Sequence, residues 1–553
     1  MHAVSRSLFL AILVCAATAL ARASFASPDP DALSPAKTLE RRAEAEADSE
    51  AAGTPSDRAS LVHARQLADD KKFEEAAASL RELLAREPDN RDAHSLLARV
   101  LAWDKKYDLS ITEYQKILAA HPDDAFDRAG YARVLAWSGH PEGSLREFRR
   151  AVRADSTDLE SRIGYARALS WAGDLPGASL EYRRVLRANP KNGDAWLGYG
   201  TVARWRGAPT ASDRFLRRAE PLGADADAVK EEKDALRVAL GPSLGTGMTT
   251  AHERQYVSGS PDFAIESTGP YAYGRATLKR SVGVTLRAAH LAQFERRIGP
   301  PVAGTTLNYD LDMTALRADM SLLRGYPFQF AGGIENRKLE AGSPNVIYPL
   351  LGSDAFFGWN ARAWLFAGRF TPSVAARKDY LPIKQDSGTP QILAGSQTAL
   401  SADLGFQWNA RGNLSAGIEN GSYSDDNERG TLRAAASYRL RLARPGVVVD
   451  YGISATDFDS PSSSYFTPLE SVRHNAGVGI AGYSERAALD WGARYQFTAI
   501  QSQNFDDIFT STWSGYLNVT AFDSLPLGIE GSYSRDNNAY ETWFLGLSAA
   551  ARW

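Results

Sequence analysis

Arginine and tryptophan recur near the front of the chain at a constant spacing, and their side chains could bind a partner. The two series, each with a step of 34 residues, are Arg65, Arg99, Arg133 and Arg167, and Trp103, Trp137, Trp171 and Trp205. Where both are present, the arginine precedes the tryptophan by four residues, so the pair shares one face of a helix. Guanidinium groups bind anions, and indole rings stack on apolar surfaces. The pattern predicts a groove for a protein or polysaccharide partner; packing of the tryptophans between repeats is the alternative.

A second set of charged side chains lies after residue 240, on segments in which apolar and polar residues alternate. The clearest segment runs from Arg486 to Ile500, and Thr431 to Leu442 repeats its pattern. We assign the following charged residues to one inner face: Arg287, Asp310, Asp312, Glu335, Arg362, Asp403, Arg433, Arg439, Arg441, Asp490 and Arg494. A charged face opposite an apolar one is typical of a membrane barrel. Its mixed signs predict a hydrated lumen without strong ion selectivity; ion pairs that plug the lumen are the alternative.

The motifs of common enzymes and metal sites are missing from the sequence. The eight histidines form no metal-binding pair at helical spacing, and there is no nucleophile elbow or phosphate-binding loop. Asp425, Asp426 and Asp536 could bind calcium, but such clusters more often form turns. With 63 basic and 66 acidic residues, the overall charge does not indicate a nucleic-acid partner. We therefore predict no enzyme, cofactor or metal site, with an outer-membrane enzyme kept as an alternative.

The 34-residue period predicts stacked pairs of helices over residues 57–226. In a frame that starts at residue 57, the eighth position is small and the twenty-fourth is large: Ala64, Ala98, Ala132, Ala166 and Gly200, and Leu80, Tyr114, Phe148, Tyr182 and Leu216. Pro88, Pro122 and Pro190 end second helices, because proline cannot continue a helix. These features resemble the tetratricopeptide repeat family. The resemblance implies about five repeats in an all-α superhelix with a concave face, lined by the arginine and tryptophan positions.

Alternation from residue 241 to 553 predicts an antiparallel transmembrane β-barrel of about 16 strands (14–16). Short connections alternate with longer polar ones such as 256–267, 383–396 and 458–471. An even number of strands places both ends of the barrel on the same side of the membrane. Trp553 ends an alternating apolar segment and resembles the terminal insertion signal of outer-membrane barrels. A soluble β domain would alternate too, and is the alternative to a barrel.

The remaining segments predict secretion. Residues 1–26 have a basic start, a short apolar run and small-residue cleavage sites, as in a signal peptide. Cys15, the only cysteine, lies in that run, so we expect no disulfide in the mature chain. Residues 27–56 are interpreted as a flexible lead-in, and 227–240 as a linker. No run of 18 apolar residues follows, so we expect no transmembrane helix.

The order of segments resembles the YaiO-type outer-membrane proteins and, more distantly, the BcsC and PgaA exopolysaccharide exporters. The closest local match is the phrase at 130–139, repeated at 164–173. The resemblance implies an outer-membrane, porin-like barrel with periplasmic repeats that takes part in export of a polymer such as exopolysaccharide. The exporters carry many more repeats, which leaves the role in export open. A non-conducting barrel that anchors a protein-recruiting scaffold is the alternative.

Overall fold

The computed structural model describes residues 55–552 apart from ten short segments. These segments are 258–259, 279–281, 298–308, 323–327, 342–345, 348–354, 386–390, 462–466, 485–487 and 522–524. The predicted signal peptide, most of the predicted lead-in and Trp553 lie outside the described residues. What is described forms two units, one of helices and one of strands.

The helical unit consists of successive antiparallel pairs. The helices are α1 (Pro55–Asp69), α2 (Phe73–Arg86), α3 (Arg91–Trp103), α4 (Tyr107–Ala120), α5 (Ala125–Trp137), α6 (Pro141–Ala154), α7 (Leu159–Trp171), α8 (Leu175–Ala188), α9 (Gly193–Trp205), α10 (Pro209–Ala219) and α11 (Ala226–Leu240). They confirm the tetratricopeptide-like fold and its 34-residue frame. Within the described part of the chain, no helix is long and apolar enough to cross a membrane.

Each odd-numbered helix from α3 to α9 begins at a side-chain cap with the same spacing. Asn90, Asp124, Asp158 and Asn192 accept hydrogen bonds from the backbone N–H groups near the start of α3, α5, α7 and α9. Such caps satisfy donors that the first helical turn leaves unpaired. The repeat frame therefore fixes where these four helices begin.

The core of the helical unit repeats with the same period. The small residues at the eighth position are buried, and the large ones at the twenty-fourth are at most 3% exposed. In the middle repeats the large ring lies against a glycine of the next repeat. A Cβ atom added to Gly164 would approach Cε1 of Phe148 to 2.6 Å, and one at Gly130 would approach the Tyr114 hydroxyl to 2.5 Å. Each ring therefore fits only because its neighbour lacks a side chain.

The stack ends on α11, which occupies the segment that we had predicted to be a linker. Glu232, 5% exposed, accepts hydrogen bonds from Arg204 (2.8 and 3.0 Å), Ser212 (2.9 Å) and Thr201 (3.1 Å). A buried carboxylate is stable only when it is paired in this way. The linker prediction for 227–240 was wrong because the composition of a capping helix, with one side exposed, is close to that of a polar connection.

The second unit is a closed barrel of 16 antiparallel strands, which confirms the predicted fold class. The strands are β1 (Ser243–Val257), β2 (Ser260–Leu278), β3 (Val282–Arg297), β4 (Tyr309–Leu322), β5 (Phe328–Ala341), β6 (Ala355–Leu365), β7 (Phe370–Gln385), β8 (Gln391–Gln407), β9 (Gly412–Tyr423), β10 (Glu428–Arg441), β11 (Gly446–Phe458), β12 (Ser471–Ser484), β13 (Leu489–Gln501), β14 (Ile508–Ala521), β15 (Leu525–Asp536) and β16 (Tyr540–Arg552). An additional two-residue strand, Val346–Ile347, pairs in parallel with β8.

The first and last strands close the barrel. β1 pairs with β16 from Ser243 opposite Arg552 to Gln255 opposite Tyr540. The even strand number thus brings both ends of the barrel to one rim, at which the described turns 366–369, 408–411 and 442–445 are short. The long connections predicted at 256–267 and 383–396 were wrong. β1, β2, β7 and β8 continue through most of both ranges, and their polar residues remain paired in the sheet.

The outer face of the barrel is apolar, with exposed Leu, Ile, Val and aromatic side chains at every second residue. On β10 this face runs from Leu432 to Leu440, eight residue steps. At ~3.4 Å per residue and ~40° tilt it covers about 21 Å, close to the hydrocarbon thickness that membrane barrels cover. Aromatic pairs lie on this face towards both ends of the band, Phe497 with Phe509 (6.2 Å between ring centroids) near the start of β14 and Phe370 with Phe406 (4.7 Å) at the start of β7. This arrangement is that of a transmembrane barrel.

We expect Gly164→Leu to destabilise the repeats by about 1–3 kcal/mol, because the new side chain overlaps the buried Phe148 ring. The first repeat interface uses Leu80 and Leu96 at the equivalent positions. The double variant Phe148→Leu/Gly164→Leu should therefore recover much of the loss. Urea unfolding of fragment 55–240, followed by circular dichroism, measures both. Equal stability of the single variant and the parent would contradict the proposed ring-on-glycine packing.

We expect Ala436→Arg to destabilise the barrel folded in lipid vesicles by about 2–4 kcal/mol, because the arginine side chain enters the hydrocarbon. Ala435 is the matched control, since it points to the opposite face between Ser415 and Gly452. Ala435→Arg should fold nearly as well as the parent. The measurement is the folded fraction on a heat-modifiability gel against urea concentration. Equal losses in the two variants would mean that the faces are assigned incorrectly.

Candidate functional site

The arginine series of the repeats is largely buried. Arg99 is 8% exposed, its Cζ atom is 5.5 Å from the centroid of the Phe126 ring, and its Nε has no hydrogen-bond partner. Burial lowers the pKa of Arg133, whose electrostatic neighbours include Tyr114 and Glu160. Arg65 and Arg167 are half-buried, and Arg167 is an electrostatic neighbour of Tyr182. Arg99, Arg133 and Arg167 therefore lie beside aromatic side chains of the repeats.

The tryptophan series is half-buried at all four positions. Trp103 packs on the core of the first repeats and lies 6.3 Å from Phe73 between ring centroids. Trp137 packs on the next cluster, which contains Tyr114 and Val134. For these two residues the structure shows packing between repeats, the alternative to a binding role. Trp171 and Trp205 have the same partial burial.

A further periodic set at positions 94, 128, 162 and 196 was missed in the sequence. Each member donates to a backbone carbonyl six residues earlier: His94 to Pro88 (2.9 Å), Arg128 to Pro122, Arg162 to Ser156 (2.9 Å) and Trp196 to Pro190 (2.9 Å). The first three also contact a glutamate 19 residues later, as Arg128 does with Glu147 at 2.6 Å. Because the residue types vary, only the 34-residue step marks this set in the sequence.

Asp127 is an acid with a raised pKa in the packing between two repeats. Its side chain is fully buried, accepts from the Ser95 hydroxyl at 2.5 Å and lies 3.0 Å from Arg91. Burial raises the pKa of Asp127 to about 6, and the neighbouring Asp124 adds to the increase, while Ser95 and Arg91 oppose it. The carboxyl group therefore changes its charge near neutral pH within the packing between two repeats.

The barrel's polar face carries the predicted lumen residues, with one correction. By strand alternation this face includes Arg287, Glu335, Arg362, Asp403, Arg433, Arg439, Asp490 and Arg494. Arg441 follows a register shift at the end of β10. Asp312 was assigned to the wrong face: it shares the outer face with Leu316, its side chain is 57% exposed, and it lies 3.8 Å from His290. The side chain of Asp310 lies outside the described part of β4.

Ion pairs cross the inner wall between strands that are not direct neighbours. Arg433 on β10 contacts Asp403 on β8 at 2.6 Å, over Gly417 of the intervening β9. A Cβ atom at Gly417 would overlap the Asp403 carboxylate. Similarly, Arg494 on β13 reaches Asp450 on β11 at 2.6 Å, over Gly477 of β12. Charged side chains thus lie along the wall instead of projecting into the lumen.

Glu419 is the centre of a further ion-pair network on this wall and was missed in the sequence. Its carboxylate contacts Arg377 at 3.0 Å, Arg433 at 3.5 Å and Arg429. It lies on the same face as Gly417, so strand alternation would have identified it. Four adjacent strands, β7 to β10, are linked by these contacts.

The aspartates considered as calcium ligands are used by turns. Asp536 Oδ1 accepts from the backbone N–H groups of Asn538 (2.8 Å) and Tyr540 (2.9 Å), and Asp426 has a φ of 60° in the turn before β10. Among the residues that the structure describes, no group of three or more His, Cys, Asp or Glu side chains is arranged to hold a metal ion.

Comparison with known proteins identifies the repeats. The tetratricopeptide repeat family matches residues 61–125. No curated protein matches the sequence. The match covers the first two repeats of the frame, and the remaining repeats follow from the structure.

Several solved structures are similar to parts of the chain. A structure described as a bacterial polysaccharide outer membrane secretin has 10% identity and a TM-score of 0.38, and covers 56% of this chain and 98% of that one. YrrB, described as a TPR protein with an unusual peptide-binding site, has 20% identity and a TM-score of 0.27, over 37% and 99% of the two chains. The pilus biogenesis factor PilW has 17% identity and a TM-score of 0.30, over 34% and 94%. TM-scores below 0.5 do not establish a shared function.

We expect Asp127→Asn to change the pH dependence of repeat stability. The pKa of Asp127 in the folded protein lies above its usual 3.8, so the folded state binds the proton more tightly than the unfolded state does. Protonation of Asp127 therefore stabilises the repeats at low pH, and this stabilisation is lost as the pH rises through about 6. The stability of the parent relative to the variant should fall by up to about 3 kcal/mol between pH 4 and pH 7. Urea unfolding of fragment 55–240 at several pH values measures this difference. Asp108→Asn, at an exposed helix start, is the control, and parallel curves for Asp127→Asn and the parent would contradict the assignment.

Proposed function

We propose that this protein is an outer-membrane barrel that takes part in the passage or export of a polymer, with its repeats in the periplasm as a protein-binding scaffold. Such an assignment would make it a YaiO-type protein. The observation that carries the proposal is the inner wall of the barrel, on which charges of both signs are held in ion pairs along the strands. The proposed role is not catalytic.

The wall supports passage because of its polarity and its width. A barrel of 16 strands is wide enough to leave an aqueous channel, whereas one of eight strands is filled by side chains. Charged side chains that lie over a glycine of the wall, as those of Asp403 and Arg433 do, occupy little of the cross-section of the lumen. Because both signs are present, the wall should select weakly between anions and cations.

The repeats support a role beyond that of a simple porin. Tetratricopeptide stacks bind protein segments on an extended surface. The barrel begins at Ser243, directly after α11, and its two ends share one rim. With that rim in the periplasm, the repeats would be available to envelope proteins that deliver a polymer.

The test is planar-bilayer conductance of the full-length protein, refolded and checked on a heat-modifiability gel. We expect steady channels whose reversal potential in asymmetric KCl is close to zero, because the wall carries both signs. A preparation from cells that carry the empty expression vector, purified and refolded in the same way, is the control for contaminating porins.

A folded barrel without current would contradict the passage proposal. The better interpretation would then be a membrane-anchored scaffold, and co-purification of envelope proteins with fragment 55–240 would support it. A strong selectivity for one ion sign would contradict the balanced inner wall.

A further inference from the structure

We propose that the last three repeats bind an acidic polysaccharide through the exposed arginines of their second helices, α6, α8 and α10. We call the surface that these arginines form the basic face. This inference rests on the proposed function and names the chemical class of its polymer. All of the arginines belong to the helical unit.

The arginines of the basic face recur with the period of the repeats. One row consists of Arg149, Arg183 and Arg217, and the next of Arg150, Arg184 and Arg218, each with a step of 34 residues. All six residues are exposed. Because equivalent residues of successive repeats occupy equivalent places in a stack, each row crosses the three helices on the same side of the unit.

Contacts also repeat along the rows, which shows that α6 and α8 present the same side. Arg150 contacts Glu147 at 3.0 Å, and Arg184 makes the equivalent contact with Glu181. Both glutamates are buried, and each also contacts an arginine on the first helix of its own repeat. The guanidinium groups of Arg150 and Arg184 therefore have matching surroundings in successive repeats.

The charge of these helices is strongly positive. α6, α8 and α10 together carry ten arginines and four acidic residues, whereas α2 and α4 carry three basic and five acidic residues. Two of the four acids are the buried Glu147 and Glu181, so the exposed side has an excess of arginine. Even the paired arginines remain accessible, since the side chains of Arg150 and Arg184 are 57% and 56% exposed.

The rows are close enough for several arginines to act on one ligand. Helices of successive repeats stack roughly 10 Å apart, and the Debye length at physiological salt is about 8 Å. A ligand with one negative charge would gain little from one exposed arginine. A polymer with a charge on each unit contacts several arginines at once, so their contributions add within a single binding event.

The regular spacing of the rows favours a polymer whose charges also recur. An acidic polysaccharide carries carboxylates at a fixed repeat, and each arginine can bind a carboxylate through two parallel hydrogen bonds. The carboxylates of a protein segment have no fixed repeat. A bilayer is flat, whereas a stack of repeats curves, so it would meet only part of each row. The barrel wall carries both signs and would not exclude an anionic polymer.

The experiment is fluorescence anisotropy of a labelled galacturonate hexamer, titrated with the full-length protein in a non-ionic detergent. We expect binding in about 50 mM NaCl that weakens roughly tenfold in about 300 mM NaCl, because salt screens exposed charges. Unlabelled cellohexaose, which is neutral, should not displace the hexamer. All variants are first checked by circular dichroism and by heat modifiability.

The test variant is Arg149→Gln/Arg183→Gln, which should weaken binding roughly fivefold, because two charges of one row are lost. Glutamine suits this position, since Gln115 occupies it in the second repeat. Gln115 contacts the Tyr131 hydroxyl at 3.3 Å, as Arg149 contacts the equivalent Tyr165 hydroxyl at 3.4 Å.

The matched control is Arg81→Gln/Lys116→Gln. These residues occupy the equivalent positions of the two rows on α2 and α4, outside the basic face, and both are exposed. The control removes the same charge from the repeats, and the affinity for the hexamer should change by less than about twofold.

Absence of hexamer binding at low salt, or equal losses in the two double variants, would overturn the proposal. Hexaglutamate that binds as tightly as the hexamer would indicate a protein partner and overturn it as well. So would displacement of the hexamer by phosphatidylglycerol added to the micelles, because the face would then bind lipid. The anisotropy does not depend on current. Channels without hexamer binding would refute only the basic face, and binding without channels would refute only passage.

Discussion

The barrel depends on one constraint, that each backbone polar group in hydrocarbon must have a partner within the protein. The chain meets it by pairing β1 with β16 over thirteen residues. Once the sheet is closed, alternation along every strand separates an apolar outside from a polar inside. The aromatic pairs near the two rims and the charged inner wall follow from this separation. The seam is also where strands from the two ends of the barrel sequence meet.

Both units use glycine in a related way, although their secondary structures differ. In the repeats, Gly164 makes room for the Phe148 ring of the preceding repeat. In the barrel, Gly417 lets Asp403 and Arg433 meet across a strand. In each case a missing side chain allows a large group to lie across a neighbouring element. In the barrel, contacts of this kind join strands that are not direct neighbours.

Much of this architecture could be predicted from periodicity. The 34-residue step gave the starts of α3, α5, α7 and α9, and the two-residue step gave the faces of β10 and β13. The assignments failed where the local composition was ambiguous. Asp312 was placed inside because it is charged, although it is four residues from Leu316 and so on the same face. Polar ends of β1 and β7 were interpreted as loops, because a strand that projects beyond the hydrocarbon can be polar on both faces.

The site could be predicted only in part. Alternation shows that Arg287 and Glu335 share a wall, but strand register decides that Arg494 meets Asp450 across β12. The burial of Trp103 and Arg99 depends on how successive repeats pack, which the spacing alone does not give.

The hydrogen bonds between the repeats have a consequence for how such a chain can change during evolution. The caps at 90, 124, 158 and 192 and the donors at 94, 128, 162 and 196 recur with the same step, so each junction is chemically close to the next. Duplication or deletion of 34 residues in the middle of the stack would create a junction of a kind already present. Glu232 closes the series whatever its number of units. The length of the helical stack is therefore free to vary in whole modules while the membrane part remains unchanged.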